Sequence, residues 1–86
     1  MPGPRVTFFH AAGCHLCATA RATLLTLQAE APFELEEIDI TGVPELEAAY
    51  REWLPVIEIE GERAFVYYVQ PGPFLQRLKC HKVGSS

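Results

Sequence analysis

Two cysteines in the segment Cys14-His15-Leu16-Cys17 are the residues of this 86-residue chain best suited to chemistry. At i and i+3 they fall on one side of a first helical turn, where two sulfurs can bond without much backbone movement. Such a pair supports dithiol–disulfide exchange: one thiolate attacks an external disulfide, and the other resolves the mixed disulfide that results. The same pair can also supply half of a metal site, which usually needs a second ligand pair. The only candidates for that second pair are Cys80 with His81, or His10 with His15. Redox chemistry is therefore the leading reading. Its rival is a non-enzymatic zinc or iron–sulfur carrier using Cys14 and Cys17, across two chains if need be. An odd number of cysteines, two of them closely spaced, does not suit a secreted disulfide scaffold.

The elements around the pair assign its roles. Arg5-Val6-Thr7-Phe8-Phe9-His10 is rich in β-branched and aromatic residues and runs into Ala11-Ala12-Gly13, which predicts a buried strand and then a loop. From Cys14 to about Glu30 neither proline nor glycine intervenes. Ala20, Leu24, Leu27 and Ala31 recur at helical spacing there, and Pro32 stops the run. Cys14 thus falls near the N-cap. Unpaired N–H groups and the positive end of the helix dipole favour a thiolate at that position, which accepts from the Cys17 backbone N–H. The expected pKa of Cys14 lies below that of a free thiol, and Cys17, one turn in, should be less exposed and less acidic. On this reading Cys14 attacks and Cys17 resolves. A protonated His15 would lower the Cys14 pKa further, and a neutral, solvent-exposed imidazole is the equal alternative.

Downstream, Phe33–Ile40 alternates, but its apolar phase switches between Leu35 and Ile38. Only one end of a regular strand should then face the core, so a bulge or an edge position is expected. Thr41-Gly42-Val43-Pro44 leads into a helix with Leu46, Ala49, Tyr50 and Trp53 on one face and Glu47 placed to pair with Arg51. This spacing puts Trp53 in the core rather than on the wall of a cleft. Leu54–Ile59 reads as a third strand, Glu60-Gly61-Glu62-Arg63 as a tight turn, and Ala64–Val69 as a fourth strand whose Tyr67 and Tyr68 face opposite ways. Gln70-Pro71-Gly72-Pro73 breaks the chain before a last helix over Phe74–Lys79, whose Phe74, Leu75 and Leu78 can cover the sheet. His10, at the end of the first strand, reads as a surface residue. Cys80 and His81 read as a free thiol and a surface imidazole.

Length and composition bound the function. Eighty-six residues make one domain, 1–86, with a core over about 5–79 and frayed ends, and 49% apolar residues are typical of a globular chain. A net charge of −4, with seven Lys and Arg dispersed along the chain, gives no footprint for nucleic acid or anionic membrane. Neither the roughly 7–15 apolar residues of a signal peptide nor the ~20 of a membrane span is present, so the default expectation is a monomer in the cytoplasm.

The element order β-α-β-α-β-β-α joins a parallel unit to an antiparallel hairpin and resembles thioredoxin-like domains, an α/β fold with a four-stranded mixed sheet flanked by helices. The segments Phe8-Phe9-His10-Ala11-Ala12-Gly13-Cys14-His15-Leu16-Cys17, Ile38-Asp39-Ile40 and Leu54-Pro55-Val56-Ile57 resemble the glutaredoxin-like members of that superfamily. They are in particular similar to small bacterial glutaredoxin-like proteins with a G-C-x-L-C active site, over about Val6 to Leu78. The resemblance implies a thiol–disulfide oxidoreductase that reduces protein or small-molecule disulfides, or serves as dedicated electron donor to one partner enzyme. It implies no bound cofactor and an external reductant, glutathione or a thioredoxin reductase. It also implies a cis Pro55 facing the cysteines, with the Leu54 backbone, His15 and Leu16 meeting the substrate; a trans proline opening the strand is the alternative. Glutathione-using members resemble one another in a lysine three residues before the first cysteine and in a Gly-Gly-x-Asp segment. Here those places hold Ala11 and Gln70-Pro71-Gly72-Pro73, so glutathione use does not follow. Trp53 stands in place of the usual threonine, and His15-Leu16 in place of Pro-Tyr.

Overall fold

Val6, Thr7, Phe8 and Phe9 are four consecutive buried residues, and a strand hidden on both faces belongs in the middle of a sheet. In the computed structural model, which describes residues 3–84 and side chains as far as Lys79, β1 (Arg5–His10) is central. It is followed by α1 (His15–Glu30), β2 (Glu34–Asp39), α2 (Pro44–Tyr50), a 3-10 turn (Arg51–Trp53), β3 (Val56–Ile59), β4 (Glu62–Val66) and α3 (Pro71–Gly84). The four strands lie in the order β2-β1-β3-β4, with β1 parallel to β2 and antiparallel to β3. The expected β-α-β-α-β-β-α order and the mixed sheet are therefore both present.

Each face of the sheet carries its own apolar cluster. On one, Val6, Phe8, Ile57 and Ile59 pack with Leu24 and Leu27 of α1 and Phe74 and Leu78 of α3. On the other, Phe9, Val56 and Ile40 pack with Leu46 and Tyr50 of α2. This double cover resolves the phase switch in β2. Leu35 joins the first cluster and Ile38 the second, so both ends of the strand find a core. β2 is an edge strand in unbroken register with β1, from Arg5 opposite Glu34 to His10 opposite Asp39, and it has no bulge. The irregularity lies instead between Ile57 and Glu58 in the pairing of β3 with β4.

Several boundaries differ from the sequence-based expectations. After Tyr50 the backbone tightens into the 3-10 turn, which breaks the 3.6-residue period, so Trp53 is 44% exposed rather than core. Ala49 is exposed as well. The hairpin turns at Glu60-Gly61, where φ is +52° and +83° as a two-residue turn requires, so β4 starts at Glu62 rather than Ala64. It ends at Val66, leaving Tyr67 and Tyr68 beyond the strand and exposed. α3 starts at Pro71. Prolines cost little in a first turn because those N–H groups have no helical partner, and the Phe74 N–H donates to the Gln70 carbonyl at 2.9 Å. Ser85 and Ser86, expected to fray, lie outside the described residues, as do Met1 and Pro2. Among the described residues, no helix is long and apolar enough to cross a membrane.

Candidate active site

β1 delivers the chain to its end at His10, and a short loop must then reverse it into α1. Gly13 takes φ +77°, a conformation that costs a residue with a Cβ. The loop is tied to the end of β2: the Ala12 N–H donates to Thr41 Oγ1 at 3.2 Å, and the Ile40 N–H to the His10 carbonyl at 2.9 Å. Thr41 is itself anchored, its N–H donating to Asp39 Oδ1 at 2.9 Å. That bond, followed by one from the Thr41 hydroxyl, holds the Asp39 carboxyl below its usual range.

Cys14 is the N-cap of α1, with extended backbone (φ −90°, ψ 109°), and its Sγ accepts the Cys17 N–H at 3.1 Å. The two cysteines, 5.2 Å apart at Cα, form a disulfide. They are unequal neighbours: Cys17 is 5% exposed in the main cluster, whereas Cys14 is only half-buried. An accessible sulfur at the helix mouth and a covered one beneath it match the spacing argument for the pair.

Two open clefts flank Cys14. The first, of about 340 Å³, is bounded by the Ala11–Cys14 loop, Thr41, Leu54, and the paired Glu47 and Arg51, whose Oε1 and Nη1 are 3.3 Å apart. Leu54 is thereby brought beside Cys14. Pro55 follows it through a cis peptide and is buried, lining neither cleft. The second cleft, of about 360 Å³, lies on the α1 side and brings together His10, Cys14, His15, Cys17 and Arg21. His15 is exposed at its rim; Leu16 is half-buried and lines neither cleft.

His10 is where sequence reasoning fell short. It is half-buried, stacked on Phe8 with ring centroids 5.1 Å apart, and lines the second cleft together with the cysteines. The signal was strand alternation, since His10 shares its side of the sheet with Val6 and Phe8. Arg21 was also overlooked; its Nε meets Glu37 Oε1 at 2.7 Å across the solvent-exposed edge of β2. Among the described residues no group of three or more His, Cys, Asp or Glu is placed to hold a metal ion. The side chains of Cys80 and His81 lie outside the described residues.

A mixed four-stranded sheet with a central first strand, a C-x-x-C pair at the mouth of the first helix and a proline ahead of the third strand defines a thioredoxin-like domain carrying a vicinal dithiol. The chain belongs to the glutaredoxin-like domain family (DUF836), whose model matches residues 5–82. It is similar to protein Ne2328 of Nitrosomonas europaea, at 28% identity and a TM-score of 0.76 over 90% of this chain and 93% of that one. Protein XcR50 of X. campestris matches at 24% identity and 0.71 over 87% and 96%. Chloroplastic thioredoxin z matches at 18% identity and 0.75 over 94% and 80%, a likeness of fold alone. No curated protein matches the sequence.

Proposed function

We propose that this chain is a cytoplasmic dithiol reductase of protein or small-molecule disulfides, with Cys14 as nucleophile and Cys17 as resolving thiol. The observation that carries the reading is the N-cap position of Cys14, whose sulfur already receives a backbone N–H, above a covered Cys17. In the reduced protein that N–H and the positive helix end stabilise a thiolate on Cys14. The thiolate attacks one substrate sulfur, forming a Cys14–substrate disulfide as the substrate S–S bond breaks and its other sulfur leaves as thiolate. Cys17, having lost its proton, attacks Cys14 Sγ; the Cys14–Cys17 bond forms and the second substrate sulfur departs. Two electrons have passed to the substrate, and a thiol or dithiol donor returns them by the same exchange in reverse.

Leu54, half-buried in the first cleft beside Cys14, meets the substrate, and His15 and Leu16, between the two cysteines in sequence, are its further contacts. The electron donor is glutathione or a thioredoxin reductase. The uncharged Ala11 on the wall of the first cleft, and the use of Pro71 and Pro73 in the first turn of α3, favour a donor other than glutathione. Service to one dedicated partner enzyme would use the same chemistry.

The test is a disulfide reductase assay run in parallel with glutathione plus its reductase and with thioredoxin reductase. Wild type turns over with one of the two, Cys14→Ser is inactive, and Cys17→Ser accumulates a mixed disulfide through Cys14. Wild-type turnover by Cys17→Ser on substrates needing a dithiol would overturn the assignment. Stoichiometric zinc or iron surviving dialysis of the reduced protein would instead favour the carrier reading.

A further inference from the structure

Resolution of the mixed disulfide requires a thiolate from Cys17, yet Cys17 is 5% exposed, and covering a thiol with apolar side chains opposes its ionisation. Cys14 has the helix N-terminus to help it. Cys17, one turn in, donates its own N–H to Cys14 and cannot use that N–H for itself. Its proton therefore needs an acceptor, and the cleft on the α1 side contains candidates. Of the residues lining that cleft with both cysteines, His10, His15 and Arg21 carry ionisable groups. A guanidinium does not take up protons, and Arg21 is paired with Glu37. His15 is exposed, whereas His10 is half-buried and stacked on the fully buried Phe8.

The geometry points to His10 as the proton acceptor for Cys17 in the resolving step, a role that rests on the dithiol reading above. Asp39 is opposite His10 in the β1–β2 register, a carboxylate one strand away from the imidazole. The other charged groups around the cleft are Arg21 and His15 on α1 and Glu37 on β2, the last neutralised by Arg21. The step balances. The Cys17 proton passes to the imidazole, directly or through one water, and the Cys17 thiolate attacks Cys14 Sγ. The Cys14–Cys17 bond forms, the Cys14–substrate bond breaks, and the substrate thiolate leaves with the electron pair and regains a proton from the imidazolium or from solvent.

An aromatic disulfide whose thiolate is coloured, dithiobis(nitrobenzoate), separates the two steps in a Cys80→Ser background, which leaves only Cys14 and Cys17. Cys14 releases the first equivalent of coloured thiolate and Cys17 the second. In stopped flow at neutral pH, His10→Gln is expected to slow the second release on the order of ten- to a hundredfold, with the first changed less than about twofold. The wild-type second-step rate falls as the imidazole protonates; the variant loses that inflection and follows hydroxide concentration alone. His10→Phe keeps a ring on Phe8 and must behave like His10→Gln. An unchanged second release in either variant, or equal slowing of both releases, overturns the role of His10. A wild type that releases a single equivalent overturns the dithiol reading itself.

Discussion

Cys14 occupies a position where serine, threonine or aspartate usually caps a helix, and its sulfur does the same hydrogen-bonding work for the Cys17 N–H. Capping and reactivity are thus separable by substitution. Cys14→Ser, compared with reduced wild type, is expected to keep stability to within about 1 kcal/mol in urea denaturation while losing reductase activity entirely. Asp39 offers a second residue-scale test. Its carboxyl is held low by Thr41, so the stability it contributes is full above the unfolded value of about 3.9 and is lost as pH falls through the lower folded value. Asp39→Asn is expected to flatten the acid limb of stability against pH in that window, as followed by thermal melts. Tyr50 works in the opposite direction. Burial first, then the nearby Glu58 that accepts its hydroxyl at 3.3 Å, raises its pKa, so its contribution is complete below about 10 and lost as pH rises through the higher folded value. Tyr50→Phe should remove that alkaline loss. A melting curve of the variant as pH-sensitive as wild type above pH 10 would contradict it.

At the scale of elements, α1 aims the cysteines because its buried stripe, Cys17, Ala20, Leu24 and Leu27, fixes its rotation against the sheet. Leu24 is wholly buried, and Leu24→Ala should cost about 2–5 kcal/mol, read as a lower urea midpoint with an unchanged slope. Leu25, next to it and 41% exposed, should change stability by less than about 0.5 kcal/mol when replaced by alanine. α1 was legible from its own residues because sixteen of them keep one period without glycine or proline. The short α2 was not, since seven residues give a stripe only Leu46 and Tyr50 long, and the switch to 3-10 geometry that exposes Trp53 leaves no mark in hydrophobic spacing. Pro71 and Pro73 read as a break in sequence because proline ends helices more often than it opens them, and only the position of Phe74 against the core decides between the two.

Over the whole molecule, two clusters share one sheet, so the central strand β1 is buried on both faces, and the large apolar side chains left exposed are Leu25, Val43, Trp53, Tyr67 and Tyr68. A single chain of 9.6 kDa in sedimentation equilibrium is the corresponding expectation, and a species of twice that mass at micromolar concentration would contradict it. The first cleft beside Cys14 is likewise a whole-molecule feature. It joins the β1–α1 loop, the β2–α2 connection, α2 and Leu54, segments that are far apart along the chain.

What the sequence determined by itself was local. The C-x-x-C spacing, the uninterrupted periodicity behind it and the apolar content of β1 sufficed to put a dithiol at a helix mouth and to order the elements, because each depends on neighbours within a few residues. What the tertiary structure alone decided was long-range. It gave Leu35 and Ile38 separate cores, turned Trp53 outward, and set Asp39 opposite His10 across the β1–β2 pairing. Those outcomes depend on which strand lies beside which and on which faces are covered, and no span of a few residues contains that information.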